Sequence, residues 1–230
     1  MMSKQRFRAK IWSLPIRVFH WLLVVLVVFN FYTGKWGDGV DSMDYHETAG
    51  VILLSLLTFR LLWGLWGDTT VRFSYFVPSP GKLLKYLPKM FKRVPSDSVG
   101  HSPSAAMGTL MLLACLLVQS ISGLFTTDDI LTEGPLCKVV DGSVCSLFTQ
   151  VHYINSYVLI ISIGLHLGAI AFYGFYKKEA LIPAMISGMK WLPLDLKPLI
   201  LNLKYPNLIF AFATMLGSGG LVWLLIYSWG

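Results

Sequence analysis

Five stretches of the chain run for about 20 residues almost free of charge, with polar and charged segments between them. Pro15 to Gly34, His46 to Trp66, Pro103 to Phe125, Val151 to Tyr176 and Pro206 to Tyr227 are each long enough to cross roughly 30 Å of hydrocarbon as a helix. The pattern predicts an all-α integral membrane protein: a four-helix transmembrane bundle followed by a fifth, C-terminal transmembrane helix. Residues 1–190 form the bundle domain in this reading and 191–230 the extension. Trp12, Trp21, Trp36, Trp63, Trp66, Trp191, Trp223 and Trp229 fall near the proposed helix ends, where amphipathic rings favour the headgroup layer. The first span follows the basic stretch "MMSKQRFRAK", but its apolar run is too long for a secretory signal and no small-residue cleavage site follows, so it is expected to be retained.

Composition narrows the class further. The 230 residues are 55% apolar and 13% charged, with a mean hydropathy of +0.62, which disfavours a soluble core. The net charge of +7 is unevenly spread. Lys4, Arg6, Arg8, Lys10 and Arg17 lie at the first helix; Arg72, Lys82, Lys85, Lys89, Lys92 and Arg93 fill the second loop; Lys177, Lys178, Lys190, Lys197 and Lys204 fill the fourth. The positive-inside rule makes these three segments cytoplasmic. Outside the helices the other face carries only Lys35 and Lys138, against Asp38, Asp41, Asp44, Glu47, Asp128, Asp129, Glu133 and Asp141. Basicity is therefore a topology signal and gives no support for nucleic-acid binding.

Within the second loop, "GKLLKYLPKMFKRV" spaces Leu83, Leu84, Leu87, Met90, Phe91 and Val94 as a helix would, with lysines between them. Such a segment suits a helix lying on anionic membrane lipid. Pro88 argues against a continuous helix, and a solvated basic loop is the alternative. Of the cysteines, Cys115 lies within the third span, while Cys137 and Cys145 share an outer loop. An oxidising compartment permits their disulfide, with two free thiols as the other reading.

The candidate chemistry lies in the histidines. His152 and His166 are fourteen residues apart in the fourth span, about 21 Å along a helix axis and nearly on one face. His20 starts the first span on the cytoplasmic side and His46 the second on the outer side, level with His166 and His152 respectively. A lone intramembrane histidine is commonly a hydrogen-bonded structural residue. Four in two level pairs suit bis-histidine ligation of two haems. Structural zinc wants four ligands in one place, and a proton relay would usually bring intramembrane carboxylates, which these spans nearly lack. Gly50, Ser156 and Ser162 leave room for a flat macrocycle near the histidines, while Gly164 and Gly168 read as helix-packing positions. Arg17 and Arg60 are placed to meet haem propionates, with headgroup snorkelling as the competing role. His101, beside the Ser102 cap and Pro103, reads as an interfacial residue that is not a ligand, either a surface histidine or part of a quinone pocket near the cytoplasmic haem.

These residues carry a resemblance. "WSLPIRVFHWLL", "HETAG", "FRLLWG", "GHSPSAAMG", "SGLFTTDDI" and the two histidines of the fourth span resemble the prokaryotic cytochrome b561 family, which includes the b-type cytochrome subunits of nickel-iron hydrogenases. The resemblance covers roughly residues 10 to 190. It implies a four-helix core holding two b haems, paired His20 with His166 and His46 with His152. The stretch "RFSYFVPSPGKLLKYL" is similar to members that work beside periplasmic c-type cytochromes. The fifth span departs from four-helix members, and "GSGG" at Gly217 to Gly220 is available for close packing on the bundle or on a partner.

The expected function is one-electron transfer across the bacterial inner membrane, between the quinone pool of a respiratory chain and a periplasmic redox protein. The outer carboxylates suit a basic partner such as a c-type cytochrome. Two alternatives are a superoxide:quinone oxidoreductase, which the acidic surface disfavours, and a haem-bearing anchor subunit whose chemistry belongs to its partners.

Overall fold

The computed structural model describes residues 5–37, 39–93, 98–128, 130 and 132–228. Lys4, Asp38, Val94, Asp129 and Trp229, which entered the reading of flanks, loops and interfacial aromatics, lie outside the described residues. The long helices are α1 (Leu14–Trp36), α2 (Val40–Trp66), α3 (Pro80–Met90), α4 (Pro103–Gly123), α5 (Gly142–Ala171) and α6 (Leu208–Tyr227). All but α3 are long and apolar enough to cross a membrane. Their exposed side chains include Val25 and Val28 on α1, Ile161 and Leu165 on α5, and Leu216 and Leu224 on α6. That much apolar surface requires lipid around it. The chain is a multi-pass membrane protein. Half of the most apolar stretch of α2 is buried against 11% for α1, so α2 is much the more enclosed of the two.

Several boundaries differ from the hydropathy reading. α2 begins at Val40 and α5 at Gly142, so neither His46 nor His152 lies at a helix start; His20 likewise lies well inside α1. Hydropathy marks the stretch that crosses hydrocarbon, whereas a helix continues into water through residues such as Asp41, Ser42 and Asp44. After Ala171 the chain widens into a π-helical turn over Phe172–Tyr176. Pro88 does not break α3. It stands two residues from the C-terminus, where its missing N–H deprives only the Leu84 carbonyl of a partner. Ser79 caps the other end by accepting from the Lys82 amide at 3.4 Å. None of the residues of α3 is buried.

The chain divides into two compact units: Met1–Val18, Leu62–Met111 and Ser162–Ala211 in the first, Phe19–Leu61, Leu112–Ile161 and Phe212–Gly230 in the second. The described residues of all three basic segments belong to the first unit. Its N-terminal part forms a strand, β1 (Arg6–Lys10), paired antiparallel with β2 (Met189–Pro193). This sheet was not foreseen, although "RFRAK" alternates exposed basic residues with the more buried Phe7 and Ala9. The chain then passes close under Gly188, whose φ of +79° and whose carbonyl, accepting from the Ile11 and Trp12 amides, leave no space for a side chain; a Cβ there would lie 2.5 Å from the Trp12 oxygen.

Asp68, fully buried just beyond α2, ties this region together. It accepts from the Ser13 hydroxyl and, at 3.3 Å, from the Trp63 indole. The neighbouring Thr70 hydroxyl donates to the Ile11 carbonyl at 2.9 Å, and Tyr205 donates to the Lys10 carbonyl at 2.6 Å. An ion pair between half-buried Lys190 and buried Glu179, at 3.4 Å, lies in the same unit.

In the second unit α6 turns Thr214, Ser218, Val222 and Ile226 inward at four-residue spacing. Val222 and Ile226 pack with Leu54 of α2 and with Leu124. The fifth helix is thus part of the bundle. The close contact expected of "GSGG" comes from fully buried Ser218; among the described residues, outside the helix's own backbone, nothing lies within 4 Å of a Cβ built on Gly217, Gly219 or Gly220. Among the described residues nothing lies within 4 Å of a Cβ built on Gly164 or Gly168 outside their own helix backbone, so no described helix of this chain packs closely on them. Cys137 and Cys145 form a disulfide in this unit, and Cys115 is free.

Burial pushes the Asp68 carboxyl up, against the pull of Ser13, Trp63 and the Lys10 and Arg72 charges. Folding therefore favours its protonated form: its contribution is full below the unfolded value and is lost as pH rises through the folded one. Asp68→Asn is expected to remove that decline. Asp68→Ala, which strands two donors, is expected to cost about 1 to 3 kcal/mol at low pH. Thermal unfolding in detergent from about pH 4 to about pH 8 checks both.

Candidate functional site

Two of the predicted histidines meet. His46 on α2 and His152 on α5, both half-buried in the second unit, have ring centroids 6.2 Å apart with their planes at 77°. Each ring is held through Nδ1. His46 Nδ1 lies 3.0 Å from the Asn30 carbonyl and 3.2 Å from the Thr33 hydroxyl. His152 Nδ1 lies 3.0 Å from the Gln119 carbonyl and 3.2 Å from the Ser122 hydroxyl. A carbonyl oxygen can only accept, so Nδ1 carries the proton in both rings and Nε2 keeps its lone pair. The hydroxyls act as acceptors too, since Thr33 gives its proton to the Phe29 carbonyl at 2.9 Å and Ser122 donates to the Gln119 carbonyl at 3.1 Å. Among the described residues no hydrogen bond reaches either Nε2.

Asn155, one turn beyond His152, locks α5 to α4. Its amide donates to the Cys115 carbonyl at 2.9 Å and to Gln119 Oε1 at 2.7 Å. A Cβ on Gly50 would meet only Asn30 Oδ1, at 3.8 Å, so open space does lie beside α2 one turn from His46. Ser156 is half-buried, and its hydroxyl donates to the Tyr153 carbonyl at 2.7 Å.

The other candidates are placed separately. His20 is half-buried in the second unit, its ring edge-on to Trp21 at 5.1 Å. His166, also half-buried, belongs to the first unit. Arg60 is 3% exposed in the second unit. Arg17, in the first, donates through Nη1 to the Ile186 carbonyl. His101 is half-buried in the first unit. It packs between Trp12, at 4.9 Å, and Phe76, at 5.1 Å, just ahead of α4.

The His46–His152 pair fits haem. A metal–imidazole bond of about 2 Å on each side, extended by the ring radius, brings two centroids flanking one iron to about 6 Å. Among the described residues no three of His, Cys, Asp and Glu gather to hold a metal ion, whereas a haem iron carries four porphyrin nitrogens and asks the protein for two axial ligands. Sequence reasoning missed Asn30, Thr33, Gln119, Ser122 and Asn155. Their signal was available: each is a polar residue inside an apolar span, where an unpaired polar group is costly.

Two imidazoles fixed in the same tautomer on two apolar helices are an arrangement that could hold the haem of a membrane b-type cytochrome. The family model for prokaryotic cytochrome b561 matches residues 11–188, and the chain belongs to that family, whose members carry b-type haem. Among curated proteins it is 23% identical over 214 residues to the probable Ni/Fe-hydrogenase B-type cytochrome subunit of Azotobacter chroococcum mcd 1, covering 78% of this chain and 87% of that protein. It is 27% identical over 133 residues to the probable Ni/Fe-hydrogenase 1 B-type cytochrome subunit of Escherichia coli K12, covering 47% of this chain and 56% of that one. No solved structure matches the chain.

Proposed function

We propose that this chain is a di-haem cytochrome of the bacterial inner membrane, with its N-terminus in the cytoplasm, carrying electrons between the quinone pool and a periplasmic redox protein such as a c-type cytochrome. The observation that carries this reading is the His46–His152 pair, 6.2 Å between centroids with both Nε2 atoms free for iron. His20 and His166 are the second pair, on the strength of their spacing and the charge topology. Haem bound between such imidazoles supplies one-electron chemistry. The chain's part is to hold each ring in the Nδ1–H tautomer, to leave room beside Gly50, to offset propionate charge with Arg17 and Arg60, and to keep water out with the apolar faces of its helices.

Charge supports the orientation. The basic segments gather in the first unit, which the positive-inside rule assigns to the cytoplasm. The Cys137–Cys145 disulfide, in the second unit, suits an oxidising exterior. In that unit Asp41, Asp44, Glu47, Asp128, Glu133 and Asp141 are exposed, against only Lys35 and Lys138 among the described residues. A surface so acidic attracts a basic protein and repels superoxide. The second reading, a haem-bearing anchor subunit, is favoured by the hydrogenase cytochrome names of the curated relatives.

The purified chain in liposomes separates the two. Quinol is expected to reduce its haem and, through it, an added c-type cytochrome. Haem that quinol leaves oxidised would instead favour the anchor. Reduction of the c-type cytochrome is also expected to slow as salt rises from about 0.01 M to about 0.15 M, where the screening length falls from roughly 30 Å to about 8 Å; a rate indifferent to salt contradicts the electrostatic docking.

A further inference from the structure

The two histidines are held by the same device built twice. Near the end of α1 the chain reads "NFYTG", Asn30 to Gly34; near the end of α4 it reads "QSISG", Gln119 to Gly123. In both, the first residue is a side-chain amide, the fourth a hydroxyl and the fifth a glycine. The first residue's carbonyl lies 3.0 Å from the histidine Nδ1 in both places, and the fourth residue's hydroxyl lies 3.2 Å from it in both. The glycine clears the ring in both. A Cβ on Gly34 would stand 2.7 Å from His46 Cε1 and 3.0 Å from Nδ1, and one on Gly123 would stand 3.1 Å and 3.3 Å from the same atoms of His152.

One carbonyl is enough to satisfy an Nδ1–H, so a merely structural histidine needs neither the second acceptor nor the glycine. Together the three contacts fix the ring's direction as well as its tautomer. We infer that these five-residue segments are matched cradles, with Thr33 and Gly34 as positioning residues for His46, and Ser122 and Gly123 as positioning residues for His152. The inference rests on the proposal that this pair holds a haem. An imidazole whose Nδ1–H is engaged by two acceptors is a stronger donor through Nε2 and favours the oxidised iron, so the cradles hold the potential of that haem down. The two cradles are not equally tight. Gly34 has no spare space, whereas at Gly123 the ring need give only a few tenths of an ångström.

The test uses the full chain purified with its haem, read by haem count, potentiometric titration and low-spin electron paramagnetic resonance. Thr33→Val and Ser122→Ala are expected to keep the wild-type haem count and each to shift the same haem to higher potential, with the double variant shifting it further. Gly34→Ala is expected to lose that haem or change its low-spin signal, while Gly123→Ala keeps the haem with a smaller change. Should Gly34→Ala fail to accumulate, the two hydroxyl variants decide alone. Wild-type potentials and signals in Thr33→Val and Ser122→Ala overturn the inference. Wild-type protein without haem overturns instead the reading beneath it, and the two failures are distinguished by that one sample.

Discussion

A neutral imidazole has one N–H that needs an acceptor and one lone pair that needs a donor or a metal, and inside hydrocarbon water supplies neither. This requirement organises the second unit. His46 satisfies its N–H on α1 and His152 on α4, so each histidine ties its helix to the helix before it through a backbone carbonyl near that helix's end. Asn155 repeats the tie between α5 and α4. Once both N–H groups are used in this way, the remaining lone pairs belong to two rings 6.2 Å apart, a separation suited to one iron.

Around that pair the chain distributes its other polar groups by the environment each must meet. The second unit keeps its described loop carboxylates exposed and bonds Cys137 to Cys145, while the first collects the basic segments, with β1, β2 and the Asp68 contacts among them. α6 adds a stripe of small and branched residues, Thr214, Ser218, Val222 and Ile226, which seats it on α2. It is built into the bundle, so an account of this protein as a four-helix cytochrome with a loose tail does not describe it.

The five spans were legible because hydrocarbon demands long uncharged runs, and the run itself is the signal. Helix ends were less so: α2 starts at Val40 and α5 at Gly142 because a helix does not stop where lipid does. Pro88 misled because its cost depends on how many turns follow it, and hardly any do. The β1–β2 pairing was half-written in the alternation of "RFRAK", but its partner lies far along the chain. The histidines stood out as polar residues in apolar segments. Their carbonyl acceptors did not, because a backbone carbonyl has no letter of its own, and only the accompanying Thr33, Ser122 and glycines leave a trace in the sequence.

The measurement that bears most directly on this account is the haem count of the purified chain, from the reduced-minus-oxidised spectrum and a pyridine haemochrome, set beside His46→Ala, His152→Ala and His166→Ala. The account expects two b haems per chain, one and the same haem lost from the first two variants and the other lost from His166→Ala. A wild-type chain with one haem, or His46→Ala and His152→Ala losing different haems, would contradict it.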